Sequence, residues 1–113
     1  MSQTRVHQFK KDLTFKTGDD NHIVGQRVKT GQVLKLTHLA AGFDELATTE
    51  YVVLGYYDGS SYIPLKKGNP SEIGDLIHWD GEVWLREEQY YYAYLVNIGN
   101  NEVMRLRALG KWE

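Results

Sequence analysis

Short apolar segments separated by turn residues fill the C-terminal third of the chain. The segments are 76–79, 82–85, 90–98 and 103–108. Asp80 and Gly81 stand between the first two, and Asp-Gly in this position is typical of a type I′ hairpin turn, because both central residues need positive φ. We therefore predict a hairpin at Asp80 and Gly81, which would place Trp79 and Trp84 on one face.

The rest of the chain continues the same pattern. Further strands are predicted at 6–15, 22–28, 32–39, 50–57 and 62–65. The spacing of about eight strands is typical of an antiparallel sandwich or barrel. The segment 39–48 is interpreted as a long loop that contains at most one helical turn. The segment 66–75 is interpreted as an irregular surface loop because it contains Gly68 and Pro70.

Two strands allow their faces to be assigned by alternation. In 90–98 both faces are apolar, which indicates a central strand covered on two sides by its own domain or by a partner chain. In 103–108 the apolar residues alternate with Arg105 and Arg107, so the arginines are expected to face outward. There they either contact carboxylates of a partner or simply face solvent.

Composition restricts the class of protein. The 113 residues suit one domain, with 1–20 as an N-terminal arm or first strand and 21–113 as a β-sandwich. The absence of cysteine excludes a disulfide framework and a thiolate metal site. A net charge of −2 with scattered Lys and Arg argues against direct nucleic-acid binding. The polar N-terminal residues predict no signal peptide, and no apolar segment is long enough to cross a membrane.

No residue pattern predicts catalysis. His7, His22, His38 and His78 lack H-x-H or H-x-x-x-H spacing, so a metal site would have to be assembled from distant strands. The chain has no G-x-S-x-G elbow, no P-loop and no G-x-G-x-x-G. We therefore expect a protein that is not an enzyme, with no catalytic residues, no bound metal and no cofactor.

Two stretches resemble small virion proteins of tailed bacteriophages. The segment 28–37, Val-Lys-Thr-Gly-Gln-Val-Leu-Lys-Leu-Thr, is similar to their v-x-x-G-x-x-L-x-I-x opening, and 84–90 followed by Asn97, a Gly-Asn turn, 104–110 and Trp112 is similar to their ending. The chain departs from the family at Glu88, where many members have glycine. The resemblance implies a single antiparallel β-sandwich of jelly-roll type.

The same resemblance implies a function. It suggests a non-enzymatic capsid decoration or cement protein that contacts the major capsid protein on the virion exterior after synthesis in the host cytoplasm. A homo-dimer or homo-trimer is expected. The candidate contact residues are Phe9, Phe15, Tyr56, Tyr57, Tyr62, Trp79, Trp84, Arg105 and Arg107.

Two other functions stay open at this point. A glycan-binding module could use Trp79, Trp84 or a tyrosine cluster for stacking on sugars. A head–tail or tail structural subunit could use a similar sandwich. The tryptophans could equally belong to the core, since large aromatic side chains are mostly buried.

Overall fold

Eight strands make up the regular structure of the described residues. The computed structural model describes residues 5–43, 51–69 and 76–113, and in these ranges all regular secondary structure is β. The strands are β1 Arg5–Thr14, β2 His22–Val24, β3 Leu34–Phe43, β4 Tyr51–Tyr57, β5 Tyr62–Gly68, β6 Ile77–Leu85, β7 Tyr90–Val96 and β8 Val103–Trp112. The described residues include no helix of the length and apolar character needed to cross a membrane.

The strands form two antiparallel sheets. The first sheet has the order β1-β8-β3-β6 and the second sheet has the order β2-β7-β4-β5. The first strand therefore pairs with the last, the second with the seventh, the third with the sixth and the fourth with the fifth. Nested pairing of this kind is the jelly-roll arrangement. The predicted all-β antiparallel sandwich is confirmed.

The core lies between the two sheets and is built by alternation along each strand. Its fully buried members include Leu34, Leu36, Leu39, Phe43, Val52, Leu54, Leu85, Tyr91, Leu95 and Leu106. Met104, Leu106 and Ala108 of β8 all face this core, as their spacing predicted, while Arg105 and Arg107 face outward. Burying one such aliphatic side chain contributes about 1.5–3 kcal/mol, so the inner faces supply most of the drive for folding.

The hairpin predicted at Asp80 and Gly81 is wrong. Strand β6 passes through both residues without turning back, and it pairs along its length with β3. Leu36 lies opposite Val83 but His38 lies opposite Asp80, so one residue of β3 faces two of β6. This two-against-one count is a β-bulge, which absorbs the extra residue inside a strand.

Gly81 is needed for a different reason from the hairpin turn that the Asp-Gly pair predicted. A Cβ atom on Gly81 would lie 2.7 Å from the Trp79 ring, so the bulge needs glycine for close packing. Trp79 turns toward the core, whereas Trp84 projects outward with 47% of its surface exposed. The two tryptophans therefore lie on opposite faces of β6, and the predicted pair on one face does not form.

Two loop predictions also need correction. Strand β3 continues through Phe43, with Leu39, Ala41 and Phe43 facing the core, so the first part of segment 39–48 is strand rather than loop. Its apolar residues fit a period of two as well as a helical period, and pairing with β8 favours the strand. Strand β5 likewise extends to Gly68. The remainders, 44–48 and 70–75, lie outside the described residues.

Glu88 occupies a turn that favours glycine. Its φ is 70°, which lies in the left-handed region. The turn is closed by the Gln89 N–H, which donates to the Arg86 carbonyl at 3.0 Å, and the Glu88 N–H donates to the Val28 carbonyl at 2.9 Å. The departure from glycine at this position therefore leaves the backbone conformation in place.

The N-terminal residues form part of the sandwich from Arg5 onward. Strand β1 pairs with β8 continuously, from Arg5 opposite Trp112 to Thr14 opposite Val103. Phe9 packs against the core and Phe15 belongs to it. The structure thus places these two phenylalanines in the interior rather than on a free arm.

Candidate functional site

Aromatic side chains cover the outer surface of the second sheet, which we call the tyrosine face. Its members alternate along their strands with core residues such as Ile23, Val52 and Tyr91, and therefore point away from the core. The pairing register of the neighbouring strands β2, β7, β4 and β5 places these side chains next to one another. The members are His22, Tyr51, Tyr57, Tyr62, Tyr90, Tyr92 and Tyr94.

Six rings of the tyrosine face contact one another as a continuous cluster, namely those of His22, Tyr57, Tyr62, Tyr90, Tyr92 and Tyr94. Tyr57 stacks on Tyr90 with centroids 5.1 Å apart, and Tyr62 meets Tyr92 edge-on at 5.1 Å. His22 stacks on Tyr94 at 4.4 Å. Such pairs contribute about 0.5–1.5 kcal/mol each beyond their area burial. The cluster is therefore a rigid surface whose rings are positioned by their neighbours.

Exposure differs across the cluster. Tyr90 and Tyr92 are buried beneath their neighbours, whereas Tyr62 is 51% exposed. Gly55 of β4 lies opposite Tyr92, and a Cβ atom there would come within 2.8 Å of the Tyr92 hydroxyl. The absence of a side chain at Gly55 leaves room for the Tyr92 ring to lie close to β4. Tyr62 is therefore the ring of this face with the largest solvent-exposed fraction.

Two buried hydroxyls of the tyrosine face, those of Tyr90 and Tyr92, have raised pKa values. The Tyr62 and Tyr90 hydroxyls are 3.2 Å apart and hydrogen-bond one another. This hydrogen bond, together with burial, raises the pKa of Tyr90 to about 12. Burial also raises the pKa of Tyr92. The face therefore offers apolar ring surface together with hydroxyl groups that can form hydrogen bonds.

Cationic side chains border the tyrosine face. The Arg27 guanidinium lies 5.0 Å from the centre of the Tyr90 ring, and the Lys67 ammonium lies 4.2 Å from that of Tyr51. Arg27 also forms an ion pair with Glu88 at 3.1 Å. Arginine and tyrosine together are enriched at protein interfaces, so the border resembles the edge of a contact surface.

A second feature lies on the outer surface of the first sheet, where two histidines meet in a groove of about 380 Å³. His38 Nε2 and His78 Nδ1 are 3.5 Å apart, and His38 Nδ1 is 2.8 Å from the Asp80 carboxylate. Buried Ala40 lies opposite His78 in the register and lines the groove. The histidines come from β3 and β6, which are distant in sequence but adjacent in the sheet.

Arg105 and Arg107 are paired within the chain. Arg107 lies 2.8 Å from Asp12 of β1, and Arg105 lies 3.9 Å from the same carboxylate. The hydrogen bond from Arg107 lowers the pKa of Asp12. The Arg107 guanidinium also donates to the Lys11 carbonyl at 3.4 Å. Its charge is thus directed toward β1.

The structure divides the nine sequence-predicted contact residues between two sheets and the core. Tyr57 and Tyr62 lie on the tyrosine face, whereas Tyr56 packs against the core like Phe9, Phe15 and Trp79. Trp84 lies on the other sheet, where the Lys35 ammonium sits 5.4 Å from its ring.

Sequence reasoning did not assemble the tyrosine face as a unit. His22 and Tyr51 join it from strands that are far from β7 along the chain. The available signal was the alternation of Tyr90, Tyr92 and Tyr94, which placed three tyrosines on one face of a strand.

The two surfaces differ in the chemistry they can support. In residues 5–43, 51–69 and 76–113 no group of three or more histidine, cysteine or acidic side chains is arranged to hold a metal ion. The tyrosine face can bind by ring contact and by hydrogen bonds from its hydroxyls, and the groove offers two imidazoles at hydrogen-bond distance. Comparisons of the chain with family models, curated proteins and solved structures found no match.

Proposed function

We propose that this chain is a non-enzymatic virion accessory protein of a tailed bacteriophage. It acts as a capsid decoration or cement protein that attaches to the major capsid protein through the tyrosine face. The observation that carries the contact role is this face, where aromatic side chains gather on the outer surface of the second sheet. The virion assignment rests on the sequence resemblance, and the jelly-roll strand order agrees with the fold which that resemblance implies.

The tyrosine face suits a protein contact for a physical reason. Tyrosine offers a large rigid ring with few rotatable bonds, so ordering it at an interface costs little conformational entropy. The ring contacts already hold Tyr57 and Tyr62 in place before any partner arrives. Preorganisation of this kind strengthens binding by lowering the cost of association.

Stabilisation of a shell would follow from repetition. A homo-dimer or homo-trimer would offer two or three tyrosine faces to adjacent capsid subunits, and simultaneous contacts strengthen attachment beyond a single contact. The protein would be made in the host cytoplasm and act on the outside of the capsid. Its contribution would be to raise the free energy needed to separate capsid subunits.

The experiment compares particles with and without the protein. Heating particles while monitoring DNA release should show a higher release temperature when wild-type protein is added back. Tyr62→Ala, which removes the most exposed ring of the tyrosine face, should weaken both binding to particles and the thermal protection. Trp84→Ala is the matched control, because this ring is similarly exposed but lies on the first sheet.

Two results would remove this proposal. An unchanged release temperature would exclude cementing, and equal losses from Tyr62→Ala and Trp84→Ala would exclude the tyrosine face as the specific contact. Electron microscopy of labelled particles also tests location. A six- or twelvefold ring at the neck or tail would identify a head–tail or tail subunit instead.

Glycan binding is the second candidate function. It is favoured by the half-exposed Tyr62 ring, which lies beside His22 and Tyr57 and offers a platform for a sugar ring. A glycan array with wild-type protein and Tyr62→Ala tests it directly. Binding that is lost in the variant would support a glycan-binding module, and an array without signal would exclude it for the glycans displayed.

A further inference from the structure

We propose that His38 and His78 form a binding site for a divalent transition metal ion of the zinc type. The site lies on the outer surface of the first sheet and is separate from the tyrosine face. It is independent of the proposed function, because it depends on different residues and different chemistry. The site is supported by the spacing of two ring nitrogens, the orientation of His38 by Asp80 and the surrounding charges.

The distance between the two nitrogens matches that of two ligand atoms on one metal ion. His78 Nδ1 and His38 Nε2 form a hydrogen bond at 3.5 Å, and a metal ion would take the place of the hydrogen between them. Two imidazole nitrogens that bind one tetrahedral zinc ion at about 2.0–2.1 Å lie about 3.3 Å apart. A metal ion between these two rings therefore requires only a small adjustment of side-chain angles.

Asp80 orients the first of the two ligands. Its carboxylate lies 2.8 Å from His38 Nδ1, and an ionised carboxylate only accepts hydrogen bonds. The hydrogen of a neutral His38 ring is therefore on Nδ1, which leaves a lone pair on Nε2 directed toward His78. A carboxylate behind a metal-binding histidine fixes the ring and raises its basicity.

The surrounding charges allow a cation to bind. Asp80 supplies one negative charge at the site, and Lys35 of β3 pairs with Glu82 at 3.2 Å. Arg107 on β8 is directed toward Asp12 of β1 and pairs with it. Arg107 of β8 and Lys10 of β1 also line the groove, two and three strands away from His78 in the register. The charged group nearest to the two rings is therefore the Asp80 carboxylate, which would partly neutralise a bound cation.

The groove gives the metal open positions. Two protein ligands leave two tetrahedral positions, and the groove of about 380 Å³ has room for water molecules there. Imidazole favours Zn²⁺, Ni²⁺ and Cu²⁺, whereas Mg²⁺ prefers oxygen ligands. We therefore expect one Zn²⁺ per chain, bound less tightly than at a structural site with four protein ligands.

The experiment is calorimetric titration of the untagged full chain with ZnCl₂ and, separately, with MgCl₂. Wild-type protein should bind one Zn²⁺ and no Mg²⁺. His38→Ala and His78→Ala should each weaken Zn²⁺ binding at least tenfold. Asp80→Asn should weaken it about tenfold, which is the low end of the range for lost outer hydrogen bonds to a ligand.

His22 provides a matched control. Its Nδ1 lies 2.8 Å from Asp20, the same pairing as His38 with Asp80, but its ring stacks on Tyr94. His22→Ala should therefore leave Zn²⁺ binding unchanged. Failure of wild-type protein to bind Zn²⁺, or equal losses in His22→Ala and His38→Ala, would overturn the proposal. Circular dichroism of each variant verifies that the fold is retained.

Discussion

His7 Nε2 and the Tyr91 hydroxyl lie 2.7 Å apart and form a hydrogen bond in the interior of the sandwich. Strand β1 of the first sheet is thereby joined to β7 of the second. The His7 ring also meets Trp112 edge-on, with centroids 5.1 Å apart. Both members of the pair are buried. A buried polar group without a partner costs about 1–3 kcal/mol, so each residue satisfies the other.

Stability should decrease at mildly acid pH because of His7. Burial lowers the pKa of His7 below its ordinary value of 6.5. The folded state therefore keeps this ring neutral, while the unfolded chain takes up a proton at higher pH. The stabilisation is fully present above about pH 6.5 and is lost as pH falls toward the lower folded-state pKa. Urea unfolding at pH 7.5 and pH 5.0 measures the difference.

His7→Gln is the control for this pH effect, because glutamine keeps a polar group near Tyr91 but does not titrate. We expect His7→Gln to be less stable than wild type at pH 7.5 and to lose less stability on moving to pH 5.0. An equal loss in wild type and His7→Gln would show that other groups cause the dependence. Carboxylates such as Asp12, whose pKa is already lowered, act at more acid pH.

Glu88→Gly should stabilise the protein. The left-handed conformation of Glu88 costs a side-chain-bearing residue about 1–2 kcal/mol, and glycine avoids this cost. The variant also loses the exposed Arg27–Glu88 ion pair, which contributes about 0–1 kcal/mol. Glycine also costs about 0.4–1 kcal/mol in conformational entropy of the unfolded chain. We therefore expect a net gain of up to about 1.5 kcal/mol in unfolding free energy, measured by urea titration.

Glu88→Gln separates these two effects. It removes the ion pair but keeps the strained backbone, so its stability should be equal to or slightly below that of wild type. A Glu88→Gly variant less stable than Glu88→Gln would contradict the argument from φ.

Alternation in the sequence predicted which residues of a single strand face the core. The position of the bulge and the contacts between strands depend on pairing between segments that are distant in sequence. The inward residues of β8 follow directly from the spacing of Met104 and Leu106. Asp80 and Gly81 carried a strong local turn signal, but pairing of β6 with β3 requires a bulge there instead. The contact between His38 and His78 depends on that same register, which a single sequence does not reveal.

Gly55→Ala should destabilise the second sheet. A Cβ atom at this position would lie 2.3 Å from the Ile63 carbonyl oxygen, which is backbone and cannot rotate away. It would also displace Tyr92 from its place over the strand. Overpacking of this kind costs about 1–3 kcal/mol, and thermal unfolding should show a corresponding decrease in Tm.

Gly99→Ala is the matched substitution. A Cβ atom there meets its nearest neighbour, Glu102, at 3.5 Å, which is an ordinary contact. We expect a change within about 0.5 kcal/mol. Comparable losses in Gly55→Ala and Gly99→Ala would mean that the close approach of β4 and β5 is not responsible.

Trp79 and Trp84 should differ sharply when each is replaced by alanine. Trp79 packs against the core from β6, so Trp79→Ala removes buried contacts and should cost about 3 kcal/mol. Trp84 is 47% exposed beside Lys35, so Trp84→Ala should cost less than about 1 kcal/mol. Urea unfolding of the two variants measures both values. Equal costs would contradict the continuous β6 strand, because a hairpin at Asp80 and Gly81 would put both rings on one face.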